Sequence, residues 1–229
     1  MSADDSEAVA KARVIYKQLQ DDLLAATPLA GMAEWIASGA PPPALALRSQ
    51  GFSGPEAPAE FLTTNYRLAR KAYVRQWGFS IPCAEAVAAL RALSPLVEVG
   101  AGAGVWTALL RNAGLDIVAT DALGGPSTYG FEVGRHAPTE ILGAADAVVA
   151  HPDRNVFCSW PSQGETWATD MVKVVASGRF LALVLHDEVG ITGDVELHET
   201  LQRTCKPVGR IDLPQWPGVR DRLVIHQKL

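Results

Sequence analysis

The chain has 229 residues, 48% of them hydrophobic, with a net charge of −5 and a pI near 5.5. That supports one large α/β domain or a core domain with an appendage. The acidic balance excludes a general positive coat for nucleic acid.

Cys83, Cys158 and Cys205 lie far apart and form no C-x-x-C pair. Their odd number argues against a secreted disulfide framework. Met1 is followed by Ser2, Ala3, Asp4 and Asp5, the wrong charge for a signal or transit peptide. No run of about 18 apolar residues predicts a membrane span. The expected setting is the cytoplasm.

Ser6–Ala25 predicts a helix, with Val9, Tyr16, Leu19 and Leu23 near one face. Leu29, Met32 and Ile36 mark a second short helix ended by Gly39, and Pro41-Pro42-Pro43 is a stiff break. Residues 44–57 read as loop. Ala59–Trp77 predicts a third helix, because Phe61, Leu62, Tyr66, Ala69, Tyr73 and Trp77 advance by three or four. Arg67, Lys71 and Arg75 run along another face and read as a solvated stripe. The aromatic face reads first as core. In an appended lid, Tyr66, Tyr73 and Trp77 would also meet a substrate. Gly78–Pro82 is an extended join, which divides an N-terminal helical cap (1–81) from a core domain (82–229).

Cys83–Leu93 is a short alanine-rich helix stopped by Ser94-Pro95. Leu96–Val99 is a buried parallel strand, followed by a turn with Gly100, Gly102 and Gly104. A helix carrying Val105, Leu109 and Leu110 ends at Gly114, and Ile117–Thr120 is a second strand with Asp121 at its end. Together these make one βαβ unit with a ligand crevice at the strand C-termini. Tyr129–Val133 reads as a third strand, Pro138–Ala150 as a helix, and Asn155–Trp160 as strand four. Thr166–Ala176 and Asp194–Thr204 read as helices. Phe180–Leu185 is a central strand five ending at His186-Asp187-Glu188. Val208–Leu213 and Arg222–His226 form an antiparallel pair. This order predicts a doubly wound sheet with an antiparallel edge.

The glycine turn admits a ligand close to the backbone, and the helix start offers free N–H groups. An acid roughly 20 residues on grips a ribose diol. A dinucleotide fingerprint, however, requires G-x-G-x-x-G/A. Here Val105 holds the third glycine's place, and Gly104 comes one residue early. Glu98 also precedes the turn, where an anion gives a pyrophosphate nothing but attracts a cofactor with a cationic amino-acid tail.

The run Glu98-Val99-Gly100-Ala101-Gly102-Ala103-Gly104 resembles motif I of class I, Rossmann-like, S-adenosyl-L-methionine (SAM) dependent methyltransferases. Three further stretches resemble a small-molecule-type group of that superfamily. They are Trp77–Pro82, His151–Arg154 leading into Cys158-Ser159-Trp160-Pro161, and Leu213–Gly218. The match covers roughly residues 75–229. It implies a seven-stranded, mostly parallel sheet with an antiparallel C-terminal pair.

By that resemblance Glu98 reaches the cofactor amine. Gly100, Ala101, Gly102 and Gly104 line its methionine and ribose end, Asp121 holds the ribose and Ala122 lies near the adenine. The acid/amide-Pro-Pro-aromatic signature of many N-methyltransferases is replaced by Ser159-Trp160-Pro161-Ser162. Ser159 and Trp160 there are cofactor contacts, and Trp160 is also a stacking surface for a flat substrate. A hydroxyl acceptor needs a base. His186, Glu188 and Asp187 are the candidates, ahead of His136.

No metal is expected. His186, Asp187 and Glu188 are adjacent and diverge, and catechol-type enzymes carry an acid where this chain has Ser159 and Ser162. The reaction implied is methyl transfer to oxygen or nitrogen of a small-molecule acceptor, without nucleic acid or membrane partners. A homodimer stays open. The alternatives are a SAM-binding protein catalysing cyclisation or isomerisation, a non-enzymatic binding protein, and an NAD(P)-dependent oxidoreductase.

Overall fold

The structure, a computed structural model, describes residues 3–25, 31–39, 59–123, 136–216 and 218–229; some side chains within these ranges, Tyr66's among them, are not described. Seven strands form one sheet: β1 (Leu96–Val99), β2 (Ile117–Asp121), β3 (Thr139–Ile141), β4 (Asn155–Ser159), β5 (Phe180–His186), β6 (Cys205–Asp212) and β7 (Asp221–Lys228). Their order is β3-β2-β1-β4-β5-β7-β6. β7 alone is reversed, pairing antiparallel with β5 on one side and β6 on the other. The expected C-terminal pair is therefore present, with β7 inserted between β5 and β6. The sheet is thus Rossmann-like, mostly parallel and seven-stranded, with the antiparallel C-terminal pair that the sequence resemblance implies.

Helices cover both faces. α4 (Ala84–Arg91) and α5 (Val105–Asn112) lie on one, α6 (Ala144–Ala150), α7 (Trp167–Val174) and α8 (Val195–Thr204) on the other. Alternation along the strands divides the side chains between them. On β5, Ala182 and Val184 join the first core, while Leu181, Leu183 and Leu185 join the second. Sandwiched this way, β5 reads as a continuous apolar run, and β1 does apart from Glu98.

The N-terminal helices α1 (Ala3–Ala25), α2 (Met32–Ser38) and α3 (Ala59–Trp77) lie on the α5 side. Leu24, Met32, Ile36, Ala69, Tyr73 and Trp77 belong to the same hydrophobic cluster as Leu90, Leu96 and Trp106. Asn112 Nδ2 donates to Ile36 O at 2.7 Å. The basic stripe of α3 partly faces α1: Lys71 Nζ lies 5.5 Å from the Tyr16 ring centre, and Arg75 donates to Gln20.

One element differs from the spacing argument. The expected strand Tyr129–Val133 lies outside the described residues. β3 instead occupies the start of Pro138–Ala150, the stretch whose spacing predicts a helix, and that helix begins only at Ala144. Thr139, Glu140 and Ile141 pair with Ala119, Thr120 and Asp121. As an edge strand β3 buries little, so its pattern carries no strand period.

Tyr73 is fully buried, meets Trp216 edge-on at 5.7 Å, and donates its hydroxyl to Ser80 O. Tyr73→Phe is expected to cost about 1 kcal/mol and Tyr73→Ala about 3–5 kcal/mol in urea unfolding followed by tryptophan fluorescence. A separate early transition for the helices, with the core midpoint unmoved, would show that they do not share its hydrophobic cluster.

Candidate functional site

The chain runs outward from β1 to β3, then returns to β4 on the other side of β1. Crevices of α/β sheets open at such a reversal, beyond the strand C-termini. Here it holds a cavity of about 420 Å³, within the range of small-ligand sites.

The turn after β1 forms one wall. Gly100 has φ +71, and a Cβ there would come within 2.8 Å of the Trp167 ring from α7. Gly104, at φ +74, heads α5; a Cβ would meet the backbone of Ala137 at 3.1 Å. Both backbone conformation and space thus require glycine. Gly100, Ala101 and Gly102 line the cavity, whereas Gly104 stands behind it as the helix cap.

Asp121 ties this wall to the next. One carboxylate oxygen accepts from Gly102 N and the other from Leu123 N, each at 2.8 Å. Ala122 and Leu123 continue the lining toward Leu142, Gly143 and Ala144.

Glu98 faces the cavity from β1 and is 1% exposed. Thr107 Oγ1 donates to its carboxylate. Burial pushes Glu98 up from 4.5 to about 7, against the pull of Thr107 and with a smaller push from Asp121. A buried acid in this state suits a ligand bearing a cation.

Trp77, Phe79, Ser80, Trp106, Ser159 and Trp160 form the remaining wall. Trp160 has φ +57, rare for a bulky residue, and its N–H continues the ladder to Val184 O before the chain turns away. Phe79 stacks on its ring at 5.0 Å, and the Arg70 guanidinium of α3 lies 5.8 Å from its centre. Phe79 thus already occupies one face of the ring. Trp77 stacks on His136 at 4.8 Å, and His136 Nε2 contacts Gln76 O.

Tyr73, His186, Asp187 and Glu188 do not line this cavity. Tyr73 is spent on the core contact with Trp216. His186 is buried and its Nδ1 accepts from Glu188 N. Asp187 pairs with Arg222 at 2.6 Å. His186 and Asp187 border a second hollow of about 230 Å³, with His198, Arg222 and His226. His186 closes β5 and Asp187 and Glu188 follow it, beside reversed β7. Tyr66's side chain lies outside those described. No cluster of metal-ligating side chains occurs among the described residues, and no described helix is long and apolar enough to cross a membrane.

One acid near the site gives no sequence signal. Asp221, 2% exposed at the start of β7, sits near Trp160 and Arg70. Burial raises it from 3.8 to about 7, opposed by the Trp160 indole and the Arg70 charge. Its sequence neighbours, Arg220 and Arg222, suggest only a surface salt bridge.

No protein-family profile and no curated protein sequence matches the chain. Solved structures do. The Burkholderia thailandensis 1,6-didemethyltoxoflavin-N1-methyltransferase, with bound 1,6-didemethyltoxoflavin and S-adenosylhomocysteine, is 14% identical at a TM-score of 0.44, over 77% of this chain and 92% of that one. The magnesium protoporphyrin IX methyltransferase of Synechocystis PCC 6803, with bound SAM, is 13% identical at 0.45, over 80% and 90%. An N-methyltransferase of Bradyrhizobium japonicum WM9, in complex with S-adenosylhomocysteine, is 15% identical at 0.40, over 58% and 76%. At these scores the likeness is one of general outline.

Glu98 and Asp221 both hold a proton more tightly folded than unfolded. From about pH 4 to about pH 7 the folded state carries the extra protons, so stability falls as pH rises through that window. Urea midpoints of the ligand-free protein are expected to decline from pH 5 to pH 7.5 and to decline less steeply in Glu98→Gln. A rise over the same range would contradict the raised acidities.

Proposed function

We propose that the chain is a SAM-dependent methyltransferase acting on an oxygen or nitrogen of a small molecule. The observation that carries this reading is the pairing of two acids across the glycine turn, buried Glu98 and rim-side Asp121, in one cavity. A dinucleotide's pyrophosphate would meet Glu98 as a like charge. The cationic amine of SAM would meet it as a partner.

Glu98 would hold that amine. Gly100, Ala101 and Gly102 would line the methionine and ribose end, and Gly104 would support the turn from behind. Asp121, at the end of β2 and lining the cavity, would take the ribose hydroxyls. Ala122 would border the adenine. Ser159 and Trp160 would stand beside the reacting end, with Trp77 on the acceptor side. Bound there, SAM supplies a methyl on a cationic sulfur, which keeps the electron pair of the broken bond as the acceptor's lone pair takes the carbon. The chain's own task is alignment and exclusion of water. The tryptophans and Phe79 do the second by walling the site with apolar rings. The helices before residue 82 act as the acceptor-side cap through Trp77.

Calorimetric titration with SAM, S-adenosylhomocysteine and NADPH tests the cofactor class. Micromolar binding of the first two and none of the third is expected; NADPH binding alone would make the chain a reductase candidate. Asp121→Ala should weaken SAM binding by about 1.5–3 kcal/mol, the scale of hydrogen bonds to a charged group.

A second readout concerns protons. A cation beside Glu98 favours its ionised form, so binding at pH 6 should release close to one proton and at pH 8 almost none. Calorimetry in buffers of different ionisation enthalpy measures this release. Release undiminished in Glu98→Gln would assign it to another group.

A further inference from the structure

The acceptor-side wall has a hydrogen-bond imbalance. Trp106 Nε1 donates to Ser80 Oγ at 2.9 Å, and Ser80 Oγ lies 2.7 Å from Ser159 Oγ. An indole N–H only donates, so Trp106 fixes one lone pair of Ser80 as an acceptor. The two serines carry one hydroxyl hydrogen each, and one of these is used between them. Whichever serine donates, the other O–H is left without an acceptor among the described residues. Both serines line the cavity, and Ser80 is only 3% exposed. A buried donor left unmatched costs more than a matched one gains, so the pair favours a ligand that supplies an acceptor atom.

Four rings line the same cavity: Trp77, Phe79, Trp106 and Trp160. Flat apolar walls favour a flat apolar body, with ring stacking adding to area burial. The charged side chains lining the cavity among the described residues are all acids, Glu98, Asp121 and Glu165. The lining thus offers an anionic acceptor no cationic side chain among the described residues.

Building on the methyltransferase reading, we infer that the methyl acceptor is a planar aromatic molecule without negative charge, carrying a ring nitrogen or ring carbonyl, and that the Ser80–Ser159 hydroxyl pair reads that atom. The relay runs from the Trp106 indole through the two hydroxyls to the acceptor. Ser80 and Ser159 thereby set specificity, and the rings set shape.

The test uses the full chain. S-adenosylhomocysteine binding is measured first by calorimetry; its absence would overturn the methyltransferase reading, and the acceptor role with it. The loaded protein is then titrated, by saturation-transfer NMR, with quinoline, naphthalene, benzoate and cyclohexylamine. Quinoline should bind about fivefold or more tighter than naphthalene, the scale of one hydrogen bond. Benzoate and cyclohexylamine should bind more weakly than either. Ser159→Ala and Ser80→Ala, made separately so that one can stand if the other misfolds, should each bring the quinoline-to-naphthalene ratio toward one. The inference is overturned if the wild-type ratio is already one, if neither substitution moves it, if benzoate or cyclohexylamine binds best, or if loaded protein binds no aromatic probe.

Discussion

The site depends on one carboxylate. Asp121 closes β2, and its two oxygens accept from the turn after β1 and from the backbone just beyond itself. Hydrogen bonds to a charged group are among the stronger ones in a folded chain. These hold two loops in register at the sheet's point of reversal. Gly100 can then pass under Trp167, and Gly104 can start α5 against Ala137. α5 in turn presents Thr107 to Glu98 and Trp106 to Ser80. Moving Asp121 would release both Gly102 and Leu123 from its carboxylate.

Two buried acids flank this arrangement in different ways. Glu98 faces the cavity with a hydroxyl for company, whereas Asp221 lies behind Trp160 near an arginine from α3. Trp160 bears a related cost, with about 1–3 kcal/mol typical for a side chain held at such a φ. Phe79, Arg70 and the bond to Val184 hold it there. Backbone strain at Trp160 and the buried Asp221 thus lie together on one side of the cavity.

What the sequence made legible was local. Glu98, the glycines and Asp121 sit within one βαβ unit, so spacing alone placed them around one crevice. Ala59–Trp77 was legible because one apolar stripe spans the whole helix. β3 was not, since an edge strand of three residues has no burial pattern to display. The Ser80–Ser159 contact joins residues 79 positions apart, and neither serine stands out alone. For His186, Asp187 and Glu188, the end of β5 was legible, but whether these side chains line the crevice depends on which strands flank β5. Asp221 was hidden for the same reason: its importance comes from β7 being inserted beside β5.

The contacts of α3 bear on how such a protein can diverge. Tyr73 meets Trp216, Trp77 stacks on His136, and Arg70 lies over Trp160. Each partner belongs to a different part of the sheet domain. The N-terminal helices are therefore not an exchangeable cassette. A lineage that replaced them would need matching changes at three separated places in the core. Divergence by substitution along the cavity wall is the easier path, and the helices and the sheet should evolve as one unit.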